Sequence, residues 1–262
     1  METGDDKRAP TRRFSDRVEY YVKYRPHYPA AILPFLEEAI GLTPQWDVAD
    51  VGAGTGILSQ LFLNYGCTVC GVEPNAEMRA AAAASLGEVE HFHLVAGTAA
   101  DTTLPAQSVD LVMVGQAFHW FDLEAARREF VRILRPGGIL LLVYNDWDHN
   151  SPVVQGYKEV VKRYGLDYDQ ARYGRKLHPE RLAAFFAPAT LHTHTLRNGQ
   201  IMDFEALLGR ALSTSYVPLP GHPNYEPLAA SLRRVFERLQ EGGRVHFDYI
   251  TRMGWGRLAG RL

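Results

Sequence analysis

Short apolar runs alternate with amphipathic segments from about residue 47 onward. The apolar runs are typical of buried strands, and the segments between them carry apolar residues at helical spacing. Strands are predicted at 47–51, 68–73, 89–95, 109–114 and 139–144, and helices at 57–65, 75–86 and 123–134. A turn is expected at 136–138, where the chain reads Pro-Gly-Gly. This alternation predicts an α/β fold with a mostly parallel sheet and helices on both faces.

The pattern changes after Asn145, where aromatic residues, prolines and histidines become frequent. Helices are predicted at 153–164, 179–186, 204–212 and 225–240, and strands at 189–196 and 244–253. The second of these strands follows a Gly-Gly turn at 242–243. The last third of the chain therefore adds a mainly helical region and two late strands.

Composition narrows the class of protein. The chain has 262 residues, 46% hydrophobic and 22% charged, with a net charge of −2, so no basic field favours nucleic acid or anionic lipid. No apolar run approaches the ~18 residues of a membrane span, and residues 1–13 are polar, so we expect a disordered tail without a signal peptide. Cys67 and Cys70 lack a second pair and suit ordinary strand positions in a reducing cytoplasm, where we expect the protein to reside.

The most informative motif follows the first strand, where Asp50 precedes glycines at 52, 54 and 56. Alternating glycines allow a tight turn and a close approach of a ligand to the main chain. The dinucleotide fingerprint needs its third glycine one residue later, at the position of Ile57. Asp50 would repel a pyrophosphate but could hold a cation. The motif therefore favours a nucleoside with a positively charged tail.

The sequence D-V-G-A-G-T-G at 50–56 resembles motif I of class I S-adenosylmethionine-dependent methyltransferases. The resemblance implies a Rossmann-like class I methyltransferase fold that ends in an antiparallel β-hairpin, which the two late strands match. It also implies a division of the chain. Residues 1–13 would form the tail, 14–45 an aromatic lid with helices, 46–150 the S-adenosylmethionine-binding core, and 151–262 a helical substrate cap with the late strands.

The resemblance also implies which residues bind the cofactor. The glycine loop would contact its methionine part, and Glu73, at the end of the second strand, would accept hydrogen bonds from the ribose hydroxyls. In the family an acid often follows the alanine beside the adenine, whereas here position 100 is alanine and the acid is Asp101. The expected cofactor-binding residues are Tyr24, Arg25, Asp50, Gly52, Ala53, Gly54, Glu73, Pro74, Asn75, Thr98, Ala99, Ala100, Gln116 and Ala117.

The segment G-Q-A-F-H-W-F-D at 115–122 follows the fourth strand, so it should lie over the methyl donor. It lacks the Asn/Asp-Pro-Pro-Tyr signature of nucleobase and glutamine N-methyltransferases and resembles small-molecule methyltransferases of the trans-aconitate type. His119 is the candidate catalytic residue, as a general base. Alternatively, His119 and Trp120 pack under the cofactor and shape the pocket.

Two further segments resemble the same subfamily. The lead-in Y-V-K-Y-R-P-H-Y-P at 21–29 suits a lid, in which Tyr20, Tyr24 and Arg25 could bind a carboxylate of the donor or the substrate. Alternatively it is an amphipathic helix with an exposed arginine. Residues 211–218 offer neutral hydrogen-bonding groups, or simply end a helix. The expected substrate-binding residues are Tyr20, Tyr24, His119, Trp120, Ser213, Ser215 and Tyr216.

No metal site is expected. The pairs His91/His93 and His192/His194 have no acid or cysteine at ligand spacing, and we interpret them as structural. A basic helix face is interpreted as solvated rather than as a nucleic-acid site; it comprises Arg127, Arg128, Arg132 and Arg135.

The sequence therefore predicts an enzyme, an S-adenosylmethionine-dependent methyltransferase that O-methylates a carboxylate or hydroxyl of a small molecule. Its partners would be a small-molecule acceptor, with no nucleic acid and no membrane, and it would be a monomer or homodimer. Two alternatives stay open: a nicotinamide-dependent oxidoreductase, and a non-catalytic S-adenosylmethionine-binding protein.

Overall fold

The computed structural model describes residues 17–166, 168 and 179–258. Its centre is a seven-stranded sheet with the strand order β3-β2-β1-β4-β5-β7-β6. The strands are β1 (Asp47–Val51), β2 (Thr68–Val72), β3 (Phe92–Val95), β4 (Val109–Gly115), β5 (Leu134–Trp147), β6 (His192–Met202) and β7 (Val245–Arg257). The first five pair in parallel, and β7 lies antiparallel between β5 and β6. The predicted fold, including its terminal antiparallel hairpin, is confirmed.

The helices pack on this sheet and above one end of it. They are α1 (Val18–Tyr24), α2 (Ile32–Ile40), α3 (Ile57–Tyr65), α4 (Ala76–Leu86), α5 (Leu123–Ile133), α6 (Pro152–Tyr164), α7 (Pro179–Phe186), α8 (Phe204–Leu212) and α9 (Tyr225–Leu239). Asn75 and Asp122 cap α4 and α5 by accepting hydrogen bonds from main-chain amides. No helix in the described ranges is both long and apolar enough to traverse a lipid bilayer.

Three apolar clusters form the core. One packs α2 and α3 against one face of the sheet and includes Phe62, and a second packs α5 and α7 against the other face around Phe130. The third lies between α6, α8, α9 and β7, with Tyr157 and Phe247 at its centre. The predicted helical region therefore shares a core with the C-terminal hairpin.

Several predicted boundaries are wrong. The Pro-Gly-Gly turn at 136–138 lies inside β5, which begins at Leu134; the register with β4 shifts there, so the three residues form an irregularity of the strand. Strand β6 covers 192–202 rather than 189–196, because all eleven of its residues pair with β7. Most side chains of this edge strand are polar and exposed, so a pattern of apolar positions does not predict its full length.

The basic face of α5 is only partly solvated. Arg127 is buried and donates hydrogen bonds of 3.0 Å to the carbonyls of Phe185 and Ala187, so its predicted solvation is wrong. Its long side chain anchors the end of α7. Arg135 forms ion pairs with Asp47 at 2.7 Å and Asp110 at 2.6 Å.

Candidate active site

A cavity of ≈ 1270 Å³ opens at the carboxyl ends of the parallel strands. This is the edge where ligands bind in open α/β sheets. Its volume exceeds the roughly 300–1,000 Å³ of a typical small-molecule pocket, so it has room for two ligands side by side. Its lining residues form two groups: the first comes from the ends of β1, β2 and β3, and the second from β4, β5, β7, α8 and the chain around the end of α1. We refer to these as the first and the second half of the cavity.

The glycine loop forms the floor of the first half. Gly52 and Gly54 have φ values of 76° and 58°, which favour glycine. A Cβ atom at Gly52 would lie 2.6 Å from the Cβ of Ala117, so the loop packs directly on the segment after β4. A Cβ atom at Gly54 would have no neighbour within 4 Å. The main chain at Gly54 therefore faces open space in the cavity wall.

Glu73 follows β2 and fixes the loop from the side. Its carboxylate accepts a 2.9 Å hydrogen bond from the Gly54 amide on Oε2, and another of 2.9 Å from the Asn75 amide on Oε1. Burial raises the pKa of Glu73, while these two amide donors act in the opposite direction. Each oxygen keeps a free lone pair for a further donor such as a ligand hydroxyl.

Asp50 ends β1 beneath the loop and is 1% exposed. Its Oδ2 accepts a 2.7 Å hydrogen bond from Ser59 Oγ, whereas Oδ1 has no hydrogen-bond partner. Burial raises the pKa of Asp50 to about 7; the Ser59 hydrogen bonds oppose this shift and the charge of Glu73 adds to it. A buried carboxylate oxygen without a donor is unfavourable, and a cationic ligand would compensate it.

The second half of the cavity has a wall of hydrogen-bonding side chains. Gln116 follows β4 with φ = 58° and donates a 3.1 Å hydrogen bond from Nε2 to the carbonyl of Asn145. The 3₁₀ turn Phe118–Trp120 then brings His119 and Trp120 to the cavity, with ring centroids 4.6 Å apart. Strand β5 contributes Asn145 to the same wall.

The side chain of Asn145 joins three distant segments. Its Oδ1 accepts hydrogen bonds from Thr251 Oγ1 at 2.5 Å and Asn198 Nδ2 at 3.1 Å. Its Nδ2 donates to the carbonyl of His27 at 3.3 Å. The wall thus depends on β5, β6, β7 and the chain that follows α1.

Comparison with known proteins identifies the family. Residues 49–142 match the model of a methyltransferase domain. An uncharacterized methyltransferase of Mycobacterium tuberculosis is 34% identical over 203 residues, which cover 78% of this chain and 76% of the relative. The chain belongs to the methyltransferase family. An uncharacterized methyltransferase of Schizosaccharomyces pombe is 29% identical over 247 residues, 92% of this chain and 94% of the relative.

Solved structures agree with the fold of this methyltransferase. A candidate type II methyltransferase from Anaeromyxobacter dehalogenans has a TM-score of 0.62 at 23% identity and covers 91% of this chain and 100% of its own. The YcgJ protein from Bacillus subtilis has a TM-score of 0.54 at 19% identity and covers 87% of this chain and 98% of its own. The predicted enzyme class and its cofactor, S-adenosylmethionine, are confirmed.

The first half of the cavity, called the donor half below, has a shape and charge that fit this cofactor. The open main chain at Gly54 leaves space for a ligand, and the Glu73 carboxylate can accept from hydroxyl groups. The unpaired Oδ1 of Asp50 offers a negative partner to a cationic tail. Among the residues that the structure describes, no cluster of three or more His, Cys, Asp or Glu side chains could hold a metal ion.

Most of the expected site residues line the cavity of the methyltransferase, and the structure brings them together from six segments. They are Arg25, Asp50, Gly52, Ala53, Gly54, Glu73, Pro74, Asn75, Thr98, Ala99, Ala100, Gln116, Ala117, His119, Trp120 and Tyr216.

Four expected residues lie elsewhere. Tyr24 donates a 2.8 Å hydrogen bond to Glu205, and its ring packs on Gly209 of α8. Tyr20 packs against the cluster around α6, α8 and α9, and Ser213 is fully buried with a 2.7 Å hydrogen bond to the carbonyl of Arg210. Ser215 is also not among the lining residues. None of these four side chains is part of the cavity wall.

The lining residues that the sequence interpretation missed include Tyr28, Tyr144, Asn145 and Arg210. A Cβ atom at Gly115 would lie 2.7 Å from the hydroxyl of Tyr28, so this tyrosine covers the end of β4. Tyr28 belongs to the lead-in motif, and that motif could have revealed it. Tyr144, Asn145 and Arg210 carried no local signal, because strand and helix patterns do not show which polar side chain turns inward.

Proposed function

We propose that this methyltransferase transfers a methyl group to a carboxylate or hydroxyl oxygen of a small molecule. The observation that supports this is one continuous cavity, which joins the donor half to a wall of hydrogen-bonding side chains that includes Gln116, Trp120 and Asn145. S-adenosylmethionine, when bound, supplies a methyl group on a positively charged sulfur. The chain's part is to bind both molecules, align them and exclude water.

In this proposal the donor is held by the residues at the ends of β1, β2 and β3. Glu73 would accept from the ribose hydroxyls, and Asp50 would offset the positive charge of the methionine part. The small side chains at 98–100 and the Pro74–Asn75 corner would border the adenine. In the proposed division, the core at 46–150 supplies the donor-binding residues and part of the acceptor wall, and the cap at 151–262 supplies the rest of that wall.

The acceptor would lie against Gln116, His119, Trp120 and Tyr216. A carboxylate, with an ordinary pKa near 4, is ionised at neutral pH and needs no base. A hydroxyl acceptor would give its proton to His119, whose ordinary pKa of about 6.5 suits a general base. Support for oxygen as the acceptor atom comes from the wall itself, which offers donors to an anionic or neutral oxygen.

A labelled-methyl transfer screen over small acids, phenols and amines tests the proposal directly. We expect transfer to an acid or hydroxyl and none to amines. His119→Gln should lower turnover of a hydroxyl acceptor strongly and that of a carboxylate acceptor little. Calorimetry with S-adenosylmethionine and with NAD gives the binding control. Transfer to nitrogen or carbon, or tight binding of NAD alone, would overturn the proposal.

A further inference from the structure

Two arginines from different elements line the second half of the cavity, called the acceptor half below. Arg25 follows α1, Arg210 lies on α8, and both line the cavity. Arg210 is 4% exposed. Both side chains reach the same turn after α8, where Arg25 bonds to the carbonyl of Ser213 and Arg210 to the hydroxyl of Thr214. Burial, and then the charge of Arg210, lower the pKa of Arg25.

Within the described part of the chain, the groups that hydrogen-bond to these arginines are neutral. Arg25 Nη2 donates a 2.6 Å hydrogen bond to the carbonyl of Ser213, its guanidinium lies 4.5 Å from the ring centroid of Tyr21, and its buried Nε has no hydrogen-bond partner. Arg210 donates from Nε to the Tyr249 hydroxyl at 2.9 Å and from Nη1 to Thr214 Oγ1 at 3.2 Å.

Neither arginine forms an ion pair with a described carboxylate, in contrast to the basic residues that do: Lys23, Arg128, Arg132, Arg135 and Arg252. The acids that line the cavity are engaged elsewhere. Asp50 and Glu73 belong to the donor half, Asp122 caps α5, and Asp146 pairs with Arg252 at 2.8 Å. No carboxylate among the described residues therefore compensates the positive charges of Arg25 and Arg210.

Such an arrangement is costly without a ligand. Buried charges in proteins are normally paired, and a second like charge nearby adds to the cost. Planar guanidinium groups match the geometry of a carboxylate, and two of them can hold its oxygens from different sides. An anion that enters the cavity would remove both penalties at once.

We propose that Arg25 and Arg210 together form a binding site for a carboxylate group of a bound ligand. This inference rests on the proposed function, because the methyl donor and an acid acceptor each carry such a group. The shared chemistry is the carboxylate, and its source is either the amino-acid end of the donor or the acceptor. Arg210 thereby becomes a ligand-binding residue rather than a packing residue of α8.

The test uses the full-length chain and three substitutions. Arg210→Met removes the charge, Arg210→Lys keeps the charge without the planar fork, and Arg25→Met removes the other partner. Arg252→Met is the matched control, because Arg252 also lines the cavity but already pairs with Asp146. Thermal melts of all variants report whether the fold is kept.

Calorimetry with two donor-like probes identifies the source. S-adenosylhomocysteine has the carboxylate, and 5′-methylthioadenosine lacks it. If the donor is the source, Arg210→Met and Arg25→Met should weaken S-adenosylhomocysteine binding about 10- to 100-fold, as expected for a charge-assisted hydrogen bond, and leave 5′-methylthioadenosine unchanged. Arg210→Lys should recover part of the loss.

If the acceptor is the source, both donor-like probes should bind as in the wild type. The same variants should then lose binding of small dicarboxylates, measured with malonate, succinate and glutarate in the presence of S-adenosylhomocysteine. Unchanged binding of every probe, or equal loss of both donor-like probes, would overturn the carboxylate site. Failure of the wild type to bind S-adenosylhomocysteine would instead overturn the proposed function.

If Arg210→Met does not fold, the binding of the same probes to Arg25→Met and Arg210→Lys tests the carboxylate site by the same criteria.

Discussion

The main-chain amide of Gly54 donates a 2.9 Å hydrogen bond to Oε2 of Glu73. This bond ties the loop after β1 to the end of β2, so one carboxylate both shapes the glycine loop and faces the cavity. Loop shape and ligand binding are therefore linked through a single side chain. A change at Glu73 is expected to act on both.

Replacement of Glu73 is the first test of the donor site. Glu73→Ala should weaken S-adenosylhomocysteine binding by roughly 1–3 kcal/mol, because ligand hydroxyls and the Gly54 amide lose their acceptor. Calorimetry measures this loss. Glu77→Ala, an exposed acid in the first turn of α4, is the control and should bind normally. Wild-type affinity in Glu73→Ala would remove Glu73 from the ribose site.

Substitutions at two matched glycines can distinguish the effect of backbone strain from the effect of filling the space that the ligand needs. Gly54 and Gly41 have φ values of 58° and 70°, and a Cβ atom at either would meet nothing within 4 Å. Gly54 lines the cavity, whereas Gly41 ends α2 away from it. Gly54→Val should abolish cofactor binding in a folded protein, and Gly41→Val should show similar destabilisation with normal binding. Equal affinities in the two variants would contradict the role of the loop.

The sequence predicted the donor half better than the acceptor half, for a physical reason. Asp50, Gly54 and Glu73 lie at or shortly after the ends of apolar strands, so the local pattern places them at one edge of the sheet. Arg210 and Asn145 enter the site through contacts with residues far away along the chain. The residues next to them in sequence do not indicate those contacts. The position of Arg210 on α8 also fits the polar face of an ordinary amphipathic helix.

The stability of the ligand-free protein should depend on the charge of Asp50. Because burial raises its pKa from 3.8 to about 7, this group contributes stability that is fully present below pH ~4 and is lost as the pH rises through 7. The loss is on the order of 1 kcal/mol per pH unit. Urea unfolding at several pH values should show a smaller decline for Asp50→Asn. If the free energy of unfolding depends on pH equally in the variant and the wild type, the raised pKa of Asp50 is contradicted.

The lead-in and the end of α8 should move as one unit. Arg17 Nη1 donates hydrogen bonds to the carbonyls of Leu212 at 3.0 Å and Thr214 at 2.9 Å. We therefore predict that bound S-adenosylhomocysteine slows amide exchange in residues 18–24 and 204–214 together. Arg17→Met should speed exchange in both segments, because the carbonyls at the helix end lose their donor.

Lys23→Met is the control for this experiment, because the ion pair of Lys23 with Glu205 is exposed and should matter little. Exchange that changes in α1 alone, with 204–214 unaffected, would show that the lead-in acts as an independent lid. Removal of residues up to Pro29 should therefore loosen α8 as well as abolish turnover.

The hydrogen bonds of the Asn145 side-chain amide determine when the two halves of the cavity can form during synthesis of the chain. The parts of the donor half lie between residues 47 and 117, so the ribosome delivers them early. The acceptor wall forms later, because Asn145 is held in place by Asn198 and Thr251 together with the carbonyl of His27. In the proposed function, a growing chain thus contains the residues at the ends of β1 and β2 that would bind the methyl donor well before it contains Asn198 and Thr251, which hold the wall proposed to receive the acceptor.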